Sequence, residues 1–209
     1  SFDGAFSQIG VGYANVSPSI STTPISITSL GSFKSSVNPS SQGSATGTIS
    51  VGYYSSLSSN FLVGLGADYS PFSLSSGAVS GSATLPRGTL SGSGTYTVNN
   101  SYSLYLSPAY ALHKDGLIYA KVGYTGMSVT SNGPRASNSQ GYTGYLLGLG
   151  YKQFISGGLY GFGEASYMSY GNQTATKNGS VPGLPYQYSF SGTSSFNTYS
   201  FLVGLGYRF

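Results

Sequence analysis

The chain has 209 residues, of which 6% are charged, with a net charge of +4 and no cysteine. An ordinary soluble domain carries about 25% charged residues, so this surface would be hard to keep dispersed in water. Disulfides and thiolate metal sites are excluded, and the eight Lys and Arg form no basic run that would bind nucleic acid. No apolar run approaches the ~20 residues of a membrane helix. What remains is periodicity two, which places alternate side chains on opposite faces of a strand.

No export signal is present, and the chain is expected to be a mature form, one domain over residues 1–209. The first expected strand covers about 4–15, with Ala5, Ile9, Val11 and Tyr13 on one face and Phe6, Gln8, Gly10 and Gly12 on the other. A Ser-, Thr- and Pro-rich stretch to about residue 41 follows, with room for a hairpin over 25–33. The second strand, about 43–55, carries Ala45, Ile49, Val51 and Tyr53 on its apolar face. A short turn over 56–60 leads to the third, about 61–69, where Phe61, Val63, Leu65 and Tyr69 oppose Leu62, Gly64, Gly66 and Asp68.

After a polar segment to about residue 97, the fourth strand sets Tyr102, Leu104, Leu106, Tyr110 and Leu112 against Ser103, Tyr105, Ser107 and Ala109. Residues 113–116 read as a tight turn, with Asp115-Gly116 as a type I′ signal. The fifth strand has Ile118, Val122 and Tyr124 opposite Tyr119, Lys121 and Gly123. A loop over about 130–140 precedes the sixth, where Tyr145, Leu147, Leu149 and Tyr151 oppose Leu146, Gly148, Gly150 and Lys152. After a turn over 155–158 the seventh strand alternates poorly. Glu164 decides its orientation, because a carboxylate facing lipid is costly, so Gly161, Gly163 and Ala165 face out. A last polar segment, about 171–195, leads to the eighth strand. There Tyr199, Phe201, Val203, Leu205, Tyr207 and Phe209 alternate with Ser200, Leu202, Gly204, Gly206 and Arg208.

Connections thus alternate long and short, and Phe-Leu-Val-Gly-Leu-Gly at 61–66 recurs at 201–206 and, altered, at 145–150. A soluble eight-stranded barrel would have to show Leu62, Gly64, Gly66, Leu202 and Gly204 to water, where soluble faces carry Lys and Glu. The opposite orientation sets small and charged residues in a narrow lumen, aliphatics toward lipid, and tyrosines at the two rims. The expected fold is all-β: an eight-stranded antiparallel transmembrane barrel with long extracellular loops.

With these features the chain resembles the small outer-membrane barrels of the OmpA-barrel, OmpX and Opa-like superfamily. That resemblance implies the bacterial outer membrane, with periplasmic termini, surroundings of lipid and lipopolysaccharide, and delivery by the barrel-assembly machinery. Phe201, Val203, Leu205, Tyr207 and Phe209 then match the family's assembly signal. It also allows loop strands that continue beyond the membrane as a protruding sheet.

Parity places Asp68, Lys121, Lys152, Glu164 and Arg208 in the lumen, either as a gate or filter or as filling. The inward glycines open space for water or make room for Tyr105, Tyr119 and Phe162 to cross, and Gly206→Ser is expected to be tolerated. His113, the one histidine, falls in a turn with no nucleophile at a telling spacing. Lys34, Arg87, Arg135 and Lys177 fall on loops free of acidic residues, facing lipopolysaccharide phosphates or incidental. No metal or cofactor is expected. The function expected is non-enzymatic: a surface barrel acting through its loops in structural, adhesive or self-association roles, with a homo-oligomer or another surface protein as partner. The alternative is a small low-conductance channel using the lumen charges.

Overall fold

The computed structural model describes residues 2–27, 31–71, 74–85, 88–132, 137–180 and 187–209. Eight long strands form the wall: β1 (Gly4–Thr22), β5 (Gln42–Ser56), β6 (Phe61–Ser70), β8 (Gly88–His113), β9 (Gly116–Asn132), β10 (Ser137–Ser156), β11 (Leu159–Ser180) and β12 (Gln187–Arg208). Four shorter ones join at the long-loop end: β2 (Ile25–Ile27), β3 (Gly31–Phe33), β4 (Ser35–Pro39) and β7 (Leu74–Leu85). Each wall strand pairs antiparallel with its neighbour in the order β1-β5-β6-β8-β9-β10-β11-β12, and β12 pairs back onto β1. The β1–β12 ladder runs unbroken from Phe6↔Arg208 to Thr22↔Gly192. A sheet that returns to its first strand leaves no open edge in lipid, where an unpaired peptide group has no water to bond.

Outward rows are apolar over one band only. Val11, Leu65, Leu104, Leu149, Phe201 and Val203 are all more than half exposed. Two aromatic girdles bound the band. On the long-loop side Tyr145, Tyr167 and Tyr199 meet ring to ring at centroid distances of 6.3 and 4.9 Å. On the short-turn side Phe61 meets Tyr110 at 5.6 Å, and Tyr207 meets Phe209 at 5.2 Å. Such girdles anchor a barrel at the two lipid–water interfaces.

The strands do not stop at the upper girdle. A membrane crossing takes about 9–11 residues, yet β8 has 26 and β11 and β12 have 22 each. Beyond the band they are held by Ser and Thr pairs across strands, such as Thr174–Thr193 and Thr176–Ser191, both 2.9 Å. The sequence reads these segments as polar loops because both of their faces lose the apolar alternation. Within the stretch expected to hold a hairpin, β2 and β3 do pair antiparallel, and β2 pairs onto β12 through Tyr188↔Ile27. β4 follows and pairs with β7, so residues 31–39 tie the β12 side of the extension to the β8 side.

The turn between β8 and β9 differs from expectation. Its central residues are Lys114 and Asp115, between the paired His113 and Gly116. Among the described residues only Asn100 is a non-glycine at positive φ, and Gly116 is not among the positive-φ glycines. Type I′ needs positive φ at both central residues, so the turn is not of that type. A register break between Ala111 and His113 takes up the strand twist instead.

Candidate functional site

The lumen is built in layers, because each inward row contributes one side chain per level. At the short-turn end Phe2, Phe6, Tyr54, Leu62, Ala109, Leu117, Tyr119, Tyr160, Phe162 and Leu202 form one buried cluster. The inward glycines make this possible. A Cβ on Gly206 would meet the Tyr160 ring, one on Gly150 the Tyr119 ring, and one on Gly66 the Tyr105 ring. Phe162 likewise lies against both Gly10 and Gly204. The glycines seat aromatic side chains across a narrow lumen, so Gly206→Ser, expected from sequence to be tolerated, would require the Tyr160 ring to shift.

Lys152 is buried inside this aromatic layer. Its Nζ lies 3.9 Å from the centroid of Phe6 and 4.9–5.1 Å from those of Tyr160, Tyr119 and Tyr54. Four ring faces thus surround one ammonium, an arrangement favoured by the aromatic quadrupoles. Lys152 makes no ion pair among the described residues. It is separate from the charge network one level above.

That network centres on Lys121. Its Nζ donates to Asp68 Oδ2 at 2.8 Å and to Glu164 Oε1 at 3.0 Å, and lies 2.8 Å from Glu164 Oε2. Glu164 also accepts from the Tyr119 hydroxyl at 2.7 Å and the Ser166 hydroxyl at 3.0 Å. Three strands, β6, β9 and β11, are joined through one cation. Burying unpaired charges would cost several kcal/mol, so the pairing is what allows these residues at this depth. Above them a cavity of about 60 Å³ is lined by Asp68, Thr48, Ser103, Ser166, Thr198 and Ser200, among others. The next layer is again apolar: Val16, Tyr96, Val98, Met127, Val129, Tyr142, Tyr170 and Phe196.

Of the five lumen charges expected, Asp68, Lys121 and Glu164 come together and Lys152 is caged by aromatics. Arg208 sits apart at the short-turn mouth, half-buried, where its Nη1 donates to the Asp3 carbonyl at 3.0 Å. Parity fixes the face of a residue but not its level, and Arg208 lies four residues along β12 below the level of Phe162. Phe201, Val203, Leu205, Tyr207 and Phe209 all point outward and are exposed. Lys34 is exposed between β3 and β4. Arg87 and Arg135 lie outside the described residues, as does the side chain of Lys177.

His113 is exposed at the β8–β9 turn, in a groove it shares with Ser56, Ser59, Asn60 and Asp115. No hydrogen bond among the described residues links it to a hydroxyl. Among these residues no group of three or more His, Asp or Glu is placed to hold a metal.

A family model described as an outer membrane protein beta-barrel domain matches residues 3–209. The chain belongs to this family of outer-membrane barrels. Its place is the bacterial outer membrane, where short turns face the periplasm and long strands face outside. Among solved structures it is similar to the outer membrane protein OprG from Pseudomonas aeruginosa, with 16% identity, TM-score 0.59, and 99% of this chain and 96% of that one covered. It is also similar to the outer membrane protease OmpT from Escherichia coli, with 12% identity, TM-score 0.51, and 100% and 98% covered. The attachment invasion locus protein Ail of Yersinia pestis aligns at 13% identity and TM-score 0.47, with 99% of each chain covered. At these identities the likeness is one of fold. No curated protein matches the chain.

Proposed function

We propose that this barrel is a non-enzymatic surface protein whose working part is the strand extension outside the membrane, in an adhesive, structural or self-associating role. The observation that carries this reading is the contrast between the two ends. The lumen is filled at two levels by buried side chains, whereas the extension offers a broad Ser-, Thr-, Asn- and Tyr-rich sheet. Polar, nearly uncharged surfaces of this composition suit contact with other macromolecules at low desolvation cost. The exposed Lys34 would meet lipopolysaccharide phosphates. The barrel-assembly machinery is the partner expected during biogenesis.

The channel alternative needs a continuous water path, and the caged Lys152 and the upper aromatic layer both stand across it. Catalysis would need a nucleophile beside His113, and the hydroxyls nearest to it in the fold share only an open groove.

The test is adhesion of cells carrying a shortened extension. Residues 74–98 are replaced by a short Gly-Ser turn, which keeps the β6–β8 ladder from Phe61↔Tyr110 to Ser70↔Ser101. The expected result is a folded barrel whose cells no longer adhere to one another or to a matrix. Unchanged adhesion with a folded shortened barrel would overturn the reading.

A further inference from the structure

The extension is not closed on every side. The β10–β11 ladder begins at Gly144↔Tyr170 and runs down toward the short turn. Above it, among the described residues, β10 residues 137–143 pair only with β9, from Ser137↔Asn132 to Thr143↔Gly126. β11 continues upward on β12 alone, from Gln173↔Ser194 to Ser180↔Gln187. Two antiparallel edges, seven and eight residues long, thus stand side by side, each without a ladder on its second side among the described residues. The cause is local: the register breaks between Tyr170 and Gln173, and an extra residue in one strand bends it away from its neighbour. Among the described residues the hydrogen bonds that cross from this β10 edge join side chains: Gln140 Nε2 donates to Gln173 Oε1 at 3.2 Å, and the Tyr142 hydroxyl pairs with Ser194 Oγ of β12 at 2.9 Å.

Directly below this seam, the lipid-facing wall is recessed. β11 presents Gly161, Gly163 and Ala165 outward, and a Cβ on Gly163 would meet nothing within 4 Å. A groove of about 500 Å³ follows, with Ala120, Leu147, Leu149, Ala165, Tyr199 and Phe201 in its lining. The adjoining β12 forms a ridge, with Phe201 and Val203 about 65% exposed. Small residues on a lipid-facing surface let two backbones approach closely.

We propose that a second copy of this chain docks along β11, about a two-fold axis parallel to the barrel axis. The proposal rests on the surface-association reading above and names its interface. Lipid would fill the groove but leaves the edges unpaired, and a soluble strand would pair with an edge but cannot reach the groove. A second copy in the same membrane supplies both at matching heights. The two-fold keeps each copy upright, so the descending β10 edge of one meets the ascending β11 edge of the other antiparallel, and the reverse. The ridge of each copy then lies against the groove of the other, the self-complementary pattern of a two-fold interface. The two edges carry no acidic residue and a single cation, Lys177, so like charge does not hold the copies apart.

The chain has no cysteine, which makes site-directed cross-linking clean. Two differently tagged variants, Ser139→Cys and Thr174→Cys, are produced in one outer membrane and oxidised. A disulfide between the two tags is the expected product, and Ala45→Cys, on the far wall in β5, should give none. Filling the groove with Ala165→Leu should lower the cross-linked yield at least tenfold, with folding checked by heat-modifiable mobility. The absence of a mixed product, equal linking from Ala45→Cys, or full linking in a folded Ala165→Leu barrel would each overturn the interface. If cross-linking fails while loss of residues 74–98 still abolishes adhesion, the interface falls and the surface reading stands.

Discussion

Lys121 Nζ lies 2.8 Å from Glu164 Oε2, and the same ammonium holds Asp68 Oδ2 at 2.8 Å from the other side. One buried cation therefore compensates a buried carboxylate, Glu164, and a partly buried one, Asp68, which makes the network asymmetric to mutation. Lys121→Met leaves both carboxylates uncompensated and is expected to cost about 3–5 kcal/mol. Adding Asp68→Asn and Glu164→Gln to it should recover part of that loss. Urea unfolding of the refolded barrel in lipid vesicles measures both effects.

The seating of aromatics on glycines gives a second expectation. Gly206→Ser should destabilise by about 1–3 kcal/mol through overpacking against Tyr160, and Tyr160→Leu in the same chain should relieve it. Gly163→Ala, which meets open space, should stay within about 0.5 kcal/mol of the parent. The same unfolding measurement compares all three variants.

Lipid-facing and lumen-facing positions should separate in an insertion assay. Leu205 is half exposed near the middle of the outward row of β12, where an Arg costs about 2–4 kcal/mol in a bilayer. Leu205→Arg should reduce the folded, heat-modifiable form, while Ser200→Ala, on the inward face, should leave it unchanged.

At the short-turn mouth, the Ser56 N–H donates to Asp3 Oδ2 at 3.0 Å. Hydrogen bonds from Ser56 are the first cause holding the Asp3 carboxyl below its ordinary value of 3.8. A carboxyl lowered by folding adds stability above its unfolded pKa, and that stability is lost as pH falls through the lower folded value. The loss is confined to strongly acidic solution. Asp3→Asn should remove that contribution at neutral pH and flatten the acid side of the stability profile below about pH 4.

Much of the wall was legible in the sequence because lipid on one side and a filled lumen on the other enforce alternation. Tyr199 to Phe209, Phe61 to Tyr69 and the short turns near residues 56–60, 114–115 and 157–158 follow from it. Outside the membrane water reaches both faces, so residues 88–100, 171–180 and 187–195 show no apolar row even though they are strand. Depth was equally hidden. Parity puts Lys152 and Glu164 on inward faces, but only the stagger of β10 against β11 sets Lys152 opposite Phe162 and Glu164 opposite Gly150. The ring cage and the ion pair come from that stagger. The poor alternation of the seventh expected strand did carry information: it marks the outward glycines of β11.

Single-channel recording of the refolded barrel in a planar bilayer, with folding verified, bears most directly on the claim that the lumen is filled and the outer sheet is the working part. The expected trace is silent, for the parent and for Lys34→Ala alike. Discrete current steps in the parent that change with Lys152→Ala or Glu164→Ala would contradict the account and make the lumen the functional site.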